Sequence, residues 1–289
     1  LVVAGAEEAD QYAAAQAAVE SGAPMLIIGE GETGEKAKAQ ILELAPEEIV
    51  QYGIDLNDDP ALAESDAKIS EPEESEETAT PSSLEDLAAQ ESPNDGNDAA
   101  PQVLVASGTN VAQVASSRAA GAPVQVLAAA DPRATSDSMA AVSEGNAVAL
   151  GEGFGNQEEF DAQVKLAANG ELPGGGGLVF PGRRMVALYG HPSGPALGVM
   201  GEQPPAEAAA LAQEYADRYK DLTQWPVIPA FEIIATVASD SPGDDGDYSN
   251  ESQPDELRPY VDAITEAGGY AFLDLQPGRA RLIDQAKMY

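Results

Sequence analysis

One pattern in this chain narrows the choice of folds more than any other: a short apolar run, an alanine-rich stretch, then Gly-Ala-Pro and a second apolar run, occurring twice. Val103-Leu104-Val105-Ala106-Ser107-Gly108 echoes Leu1-Val2-Val3-Ala4-Gly5. Gly121-Ala122-Pro123 echoes Gly22-Ala23-Pro24, Val124 to Leu127 echoes Met25 to Ile28, and Ala147 to Gly151 echoes Ile49 to Gly53. Landmarks kept in order over this distance define an internal repeat. Apolar runs of this length fit strands buried on both faces, and the stretches between them have helical composition. Strand and helix alternate, which predicts a parallel sheet and an α/β fold.

The repeat unit reads in detail as follows. Leu1 to Ala4 is a strand, Glu7 to Glu20 a helix, Met25 to Ile28 a strand, Glu35 to Leu44 a helix and Glu48 to Tyr52 a strand. Gly22 followed by Pro24 is a helix-stopping signal, because glycine accepts the left-handed conformation and proline cannot continue the helix. Between the copies, Asp55 to Pro101 is dense in acid (Glu71, Glu73, Glu74, Glu76, Glu77, Glu85, Asp86, Glu91, Asp95, Asp98) and in proline, with Lys68 its only base. Such a segment repels itself, so a loop or disordered insert is expected. Within it, Ser82 to Gln90 fits one short helix capped by Ser82 or Ser83.

These residues support a resemblance. The first copy is similar to the type 2 cell-wall-binding repeat of bacterial surface proteins, through Gly5, Asp10 at the expected spacing, Gly22-Ala23-Pro24, Met25 to Ile28 and Gly53. The second copy keeps Gly108, Gly121-Ala122-Pro123 and Gly151, with Gln113 in the place of the Asp. The resemblance covers residues 1–54 and 102–155. It implies a three-layer α/β fold and attachment to an envelope polymer. The family's R-x-x-G-x-x-R-Y segment is missing from both copies, and with it the basic character that would hold an anionic polymer.

Charge decides which partners are admissible. With 50 Asp and Glu against 14 Lys and Arg, the net charge is -36. Nucleic acid is excluded as a partner, since binding it takes Lys and Arg to displace counterions. The acidity itself reads as a solubility device, and it is compatible with a saline habitat. The absence of cysteine removes disulfides, thiol catalysis and thiolate metal sites. With a single histidine, a histidine-based zinc site is closed as well, save a carboxylate-rich variant. No apolar run approaches the roughly 20 residues that span a bilayer, so no transmembrane segment is expected. The chain starts in a strand without Met and ends inside a helix, which predicts a portion of a longer protein.

Gly29-Glu30-Gly31-Glu32-Thr33-Gly34 is a literal G-x-G-x-x-G between strand and helix, with Asp55 beyond the next strand. That is the context of a dinucleotide fingerprint. Glu30, Glu32 and Glu35 would set negative charge against a pyrophosphate, which favours a plain tight turn and no cofactor.

Residues 156–182 form a bridge. Gln157 to Asn169 reads as a helix, Pro173 to Gly177 as a flexible stretch and Leu178 to Pro181 as a short strand. The expected organisation is a first repeat over 1–54, an acidic insert over 55–101, a second repeat over 102–173, a Gly-rich linker over 174–182 and a last domain over 183–289. In that domain, strands at Met185 to Tyr189, Val227 to Val237 and Gly269 to Leu275 alternate with helices at Ala206 to Leu222, Asp255 to Ala267 (with Ser252 as cap) and Arg279 to Tyr289. Three βα units in succession predict part of a (β/α) barrel, whose closed form takes about eight. The stretches ALYGHP, AFEIIATVAS, DGDYS and AGGYAFLDLQPG resemble the exported barrel-like domain that accompanies such repeats in some actinobacterial surface proteins.

In a barrel, function lies at the C-terminal ends of the strands. His191, Glu232 and Asp274 fall there. Glu232 and Asp274 are the candidate catalytic pair, as acid and base or nucleophile on a glycosidic bond. His191, Tyr248 and Gln276 are candidate sugar-binding residues. For each, a structural alternative stands: Glu232 paired with Arg183 or Arg184, Asp274 capping the turn at Pro277-Gly278, His191 resting in a Gly-Pro loop. A serine triad would need His191, and Ser193 is too near in sequence to be its obvious partner. The loop with Asp240, Asp244, Asp245 and Asp247 offers carboxylates of the kind calcium takes, without EF-hand spacing, so a solvated loop is the simpler reading. Two functions are expected from this sequence: a secreted or cell-surface bacterial protein whose repeats attach it to the cell envelope, or an envelope polysaccharide hydrolase using the strand-end carboxylates.

Overall fold

The computed structural model describes residues 1–62, 65–72, 79–96, 99–223 and 225–289. Glu73, Glu74, Glu76, Glu77 and Asp98 of the acidic segment lie outside the described residues. The chain is α/β with mostly parallel sheets, and it divides into two compact units, Leu1–Gly170 and Glu171–Tyr289.

In the first unit, β1 (Val2–Ala4) is flanked by β2 (Met25–Ile27) and β3 (Glu48–Tyr52), all parallel. Helices α1 (Glu8–Ser21) and α2 (Gly31–Leu44) connect them. A fourth strand, β4 (Lys68–Ser70), extends the sheet beyond β3. After the short α3 (Leu84–Ala88), β5 (Gln102–Ala106) takes the central place of a second sheet, between β6 (Val124–Leu127) and β7 (Ala147–Ala149). Helices α4 (Val111–Ala119), α5 (Ser136–Ser143) and α6 (Gln157–Ala167) complete it. The same backbone bond recurs at both Gly-Ala-Pro turns: Val2 N donates to Pro24 O at 3.0 Å, and Val103 N to Pro123 O at 2.8 Å.

Alanine sets the packing between the two sheets. Helices α1 and α4 meet through Ala14, Ala15 and Ala18 on one side and Ala112 and Ala115 on the other, all buried. Small side chains let two helices approach closely. Val2, Ala4, Val103 and Val105 bring the inner faces of both sheets into this core. The outer face of the first sheet packs on α2 through Val3, Ile28, Ala37, Ile41 and Ile49.

The acidic segment is built into this unit. Leu56 and Leu62 join the outer core, and Leu87 is fully buried between the sheets. The expectation of a loop or disordered insert is therefore corrected for these parts: a few leucines bury enough apolar area to dock a stretch whose average composition is too charged to fold. Ser83 Oγ caps α3 by accepting from Asp86 N at 3.1 Å, as the sequence suggests. Arg118, 6% exposed, fastens the segment by donating to Gln90 O and to both carboxylate oxygens of Asp95. The turn at Asn94 lies against both Gly-Ala-Pro motifs. A Cβ on Gly121 would stand 2.0 Å from Asn94 O, and one on Gly22 2.8 Å from Asn94 Nδ2. Both glycines are also left-handed, at φ +79° and +65°.

Helix α2 starts at Gly31, so the G-x-G-x-x-G stretch is largely its first turn, with Glu30 at the N-cap position. A Cβ on Gly34 would lie 2.2 Å from Gly29 O, so the last glycine serves close packing of the turn.

In the second unit, β8 (Arg184–Gly190), β9 (Val227–Ile234) and β12 (Tyr270–Asp274) form a parallel sheet in the order β8-β9-β12. Helices α7 (Pro205–Asp217) and α8 (Pro254–Glu266) pack on one face of it, with Leu188, Phe231, Ile233 and Ala271. The stretch expected as one strand from Val227 to Val237 splits: β10 (Thr236–Ala238) turns away to pair antiparallel with β11 (Ser249–Glu251). The last helix is only α9 (Leu282–Ala286). No strand forms at Leu178 to Pro181. The Gly-rich stretch expected as flexible is clamped, because the buried Arg183 guanidinium donates to Pro173 O and Gly175 O. Helix α8 takes Gln253, not Ser252, at its N-cap. Among the described residues, no helix is long and apolar enough to cross a membrane.

Candidate functional site

Side chains alternate across a strand, so the face of the second unit's sheet opposite α7 and α8 carries Met185, Ala187 and Tyr189 on β8, Glu232 on β9, and Phe272 and Asp274 on β12. Tyr189 stands opposite Glu232 in register, and Phe272 opposite Glu232 on the other side. A pocket of about 500 Å³ lies on this face, lined by Phe180, Met185, Glu232, Phe272, Asp274 and Leu275 among others. The two carboxylates singled out from the sequence therefore share one pocket. Asp274 sits two residues beyond Glu232's partner, which separates their Cα atoms by about 8 Å from strand spacing and rise.

The two acids differ in their surroundings. Asp274 Oδ2 accepts from Tyr189 Oη at 3.2 Å and from Gln276 Nε2 at 2.9 Å. Glu232 is exposed and takes part in no hydrogen bond or ion pair among the described residues. Of its expected alternative partners, Arg183 is engaged by the carbonyls of Pro173 and Gly175. Nor does Asp274 cap the Pro277-Gly278 turn. Tyr189's phenol is pushed above its ordinary pKa, first by desolvation, then by its hydrogen bond to Asp274 and by the charges of Asp274 and Glu232. Tyr189 is the residue sequence reasoning missed. Its only sequence signal is its place just before Gly190 at the strand end.

The three expected sugar-binding residues separate. Gln276 is in the pocket's polar network: its side chain holds Asp274, and its backbone joins Thr236 and Ser249. Tyr248 sits on the loop that ends at β11, left-handed at φ +59°, with the Arg279 guanidinium 4.1 Å above its ring. His191 lies between two serines. Ser193 N donates to Nδ1 at 3.0 Å, and Nε2 lies 2.8 Å from Ser252 Oγ. Ser193 Oγ lies 2.8 Å from Nδ1, so each ring nitrogen has one serine hydroxyl within hydrogen-bond reach. Ser252, expected as a helix cap, has this role instead.

The acidic loop carries little beyond its own turns. Asp247 is raised above its ordinary pKa by desolvation and by its neighbours Asp245 and Glu251, and it accepts from Ser249 N at 2.9 Å. Among the described residues, no group of three His, Asp or Glu is arranged to hold a metal ion.

No family model, curated protein or solved structure matches this chain.

A second concavity lies in the first unit, at positions to which no role is assigned from the sequence. Its volume is about 1220 Å³. One wall is the loop from β5 into α4 (Ser107, Gly108, Thr109, Asn110) and the end of β7 (Leu150 to Phe154); the facing wall is β2 and α2 (Thr33, Lys36, Gln40). Because β5 has β6 on one side and β7 on the other, this is the point where connections diverge in an open α/β sheet, the usual place for a ligand. Thr109 holds the walls in place: its Oγ1 accepts from Ala106 N and bonds to Leu150 O, both at 3.2 Å. The G-x-G-x-x-G turn, by contrast, follows β2, which is at the edge of its sheet and not at such a point.

Proposed function

We propose that this is a cell-envelope-associated surface protein, whose first unit attaches to an envelope polymer and whose second unit acts on a glycosidic bond. Support for the attachment part comes from the common strand order of the two sheets, with β1 and β5 both central, and from the repeated Gly-Ala-Pro turns. These fit two copies of a wall-binding-type module. In the second unit, strands in consecutive order with both crossover helices on one face fit a segment of a (β/α) barrel, since open doubly wound sheets place helices on both faces. The helix-free face would then be the barrel interior.

The observation that carries the hydrolytic part is the shared pocket of Glu232 and Asp274 at the C-terminal half of β9 and β12. Two carboxyls flanking a sugar ring suffice for hydrolysis, one giving its proton to the leaving oxygen and the other acting as base or nucleophile. Tyr189 and Gln276 hold Asp274 through Oδ2, which fixes its orientation as the base or nucleophile, and Glu232, without a hydrogen-bond partner among the described residues, is placed as the acid. Glu232→Gln and Asp274→Asn should each lower the cleavage of cell-wall polysaccharide, assayed by reducing-end release, by at least about 100-fold, with melting temperature unchanged. Unchanged turnover in either variant rejects the assignment. For attachment, the full chain should sediment with purified cell wall whether or not the carboxylates are intact.

A further inference from the structure

We infer that the cleft between β5, β7 and α2 is a binding site for an uncharged polyhydroxylated chain, that is, a neutral glycan. This names the ligand class of the attachment part proposed above. The protein withholds charge from this cleft. Across the chain 50 of 289 residues are Asp or Glu, yet among the 22 residues lining the cleft the only carboxylate is Glu152. The only cation among these residues is Lys36, which pairs with Glu32 at 2.8 Å in an exposed bridge along α2. The remaining polar lining is hydroxyl and carboxamide: Thr109, Asn110 and Ser116 make bonds within the fold, and Ser107, Ser117, Thr33, Gln40 and Gln113 complete it. These groups both donate and accept, which is what a sugar hydroxyl asks of its partners.

Access fits as well. Ser107, Gln113 and Gln40 are exposed on the walls. Gly108 is left-handed at φ +91°, and nothing lies within 4 Å of where its Cβ would be, so a ligand can approach the bare peptide. Leu150 and Ala130 add apolar surface for the C–H face of a pyranose.

Charged ligands are disfavoured on both sides. A polyanion entering this cleft works against the field of a molecule at -36 and finds a single cation, Lys36, already paired with Glu32. A polycation finds one carboxylate here and many more elsewhere on the surface. The sign of the salt effect separates the three cases. Binding of a neutral chain is indifferent to salt, that of a polyanion strengthens as repulsion is screened, and that of a polycation weakens.

The test uses the full chain and calorimetric titration with a soluble β-glucan, an α-mannan and a chitooligosaccharide, with hyaluronate and oligolysine as charged probes, at about 0.1 and 1 M NaCl. At least one neutral glycan should bind with a Kd that changes less than about twofold between the two salts. Gln113→Trp, an exposed α4 position in the cleft, should weaken that binding at least about tenfold without moving the melting temperature. Gln157→Trp, on α6 outside the cleft, should leave it intact. Failure of all three neutral glycans, or hyaluronate binding that grows with salt and is lost in Gln113→Trp, overturns the inference. So does glycan binding that Gln113→Trp leaves unchanged. If wall sedimentation persists while neutral glycans fail, this inference falls and attachment itself stands.

Discussion

The first unit holds two loops at the same topological position, one after β1 and one after β5, and they are finished in opposite ways. After β1, the loop is closed and acidic. Gln11 Nε2 reaches back to Ala6 O at 3.0 Å and, at 3.4 Å, to Gly5 O; a Cβ on Gly5 would stand 2.6 Å from Gly53 O; Glu7, Glu8 and Asp10 follow. After β5, Thr109 draws the loop onto β7, Ser107 and Gly108 stay open, and no acid appears from Gln102 to Ala130. A common strand order thus gives one loop sealed by its own side chains and one that lines a cleft. Topology supplies the location, and a handful of local hydrogen bonds decides whether it is available.

Several substitutions break or sharpen that contrast. The largest effect is expected at Leu87, fully buried beneath the second sheet and supplied by the acidic segment. Leu87→Ala should cost about 2–5 kcal/mol in urea unfolding, with hydrogen exchange rising first in β5 and β6. A loss confined to the segment itself would show that the second sheet does not depend on it. Next is Thr109→Val, which leaves Ala106 N and Leu150 O without their partner. A cost of about 1–3 kcal/mol is expected, together with faster exchange at the Ser107 and Gly108 amides. Gln11→Ala should cost less, about 0.5–1.5 kcal/mol, and should make the β1 loop exchange like its open counterpart. If exchange there stays slow, the closed state rests on backbone packing against Gly53 alone.

The smallest effects are electrostatic. Asp95 is held below its ordinary pKa, first by the Ser92 backbone amide and then by Arg118. A depressed carboxylate stabilises the fold above its unfolded pKa, and that contribution is lost as pH falls through the folded value. The melting temperatures of wild type and Asp95→Asn should therefore differ at neutral pH and converge in acid. Asp247 has the opposite sign. Its raised pKa means its contribution is present below the unfolded value and lost as pH rises through the folded one, so Asp247→Asn should melt slightly higher at neutral pH and low salt. A lower melting temperature would show that its bond to Ser249 outweighs the repulsion.

What was legible in the sequence follows physical range. Strands such as Met25–Ile27 and Glu48–Tyr52 carry their own apolar signal, and Gly22 and Gly121 mark helix ends because no other residue takes the left-handed turn at no cost. Glu232 and Asp274 stood out as acids in otherwise apolar strands, and parallel register then brought them to one face. The acidic segment misled because its charges dominate any average, whereas Leu56, Leu62 and Leu87 fix its place. The start of α2 was hidden by glycines that read as a motif. The bonds of Tyr189 to Asp274 and of His191 to Ser252 join positions 85 and 61 residues apart, and no local pattern encodes them. The cleft is a sparing of charge in space, assembled from α2, α4 and the end of β7, and so has no signature along the chain.

The proposed division places binding and cleavage in different units. It is tested most directly by measuring, in parallel, wall-glycan binding and glycosidic cleavage in Gln113→Trp and Asp274→Asn. The prediction is a double dissociation: Gln113→Trp loses binding but still cleaves a short soluble substrate, and Asp274→Asn binds as wild type but does not cleave. Loss of both properties together in either variant, at unchanged melting temperature, would contradict it.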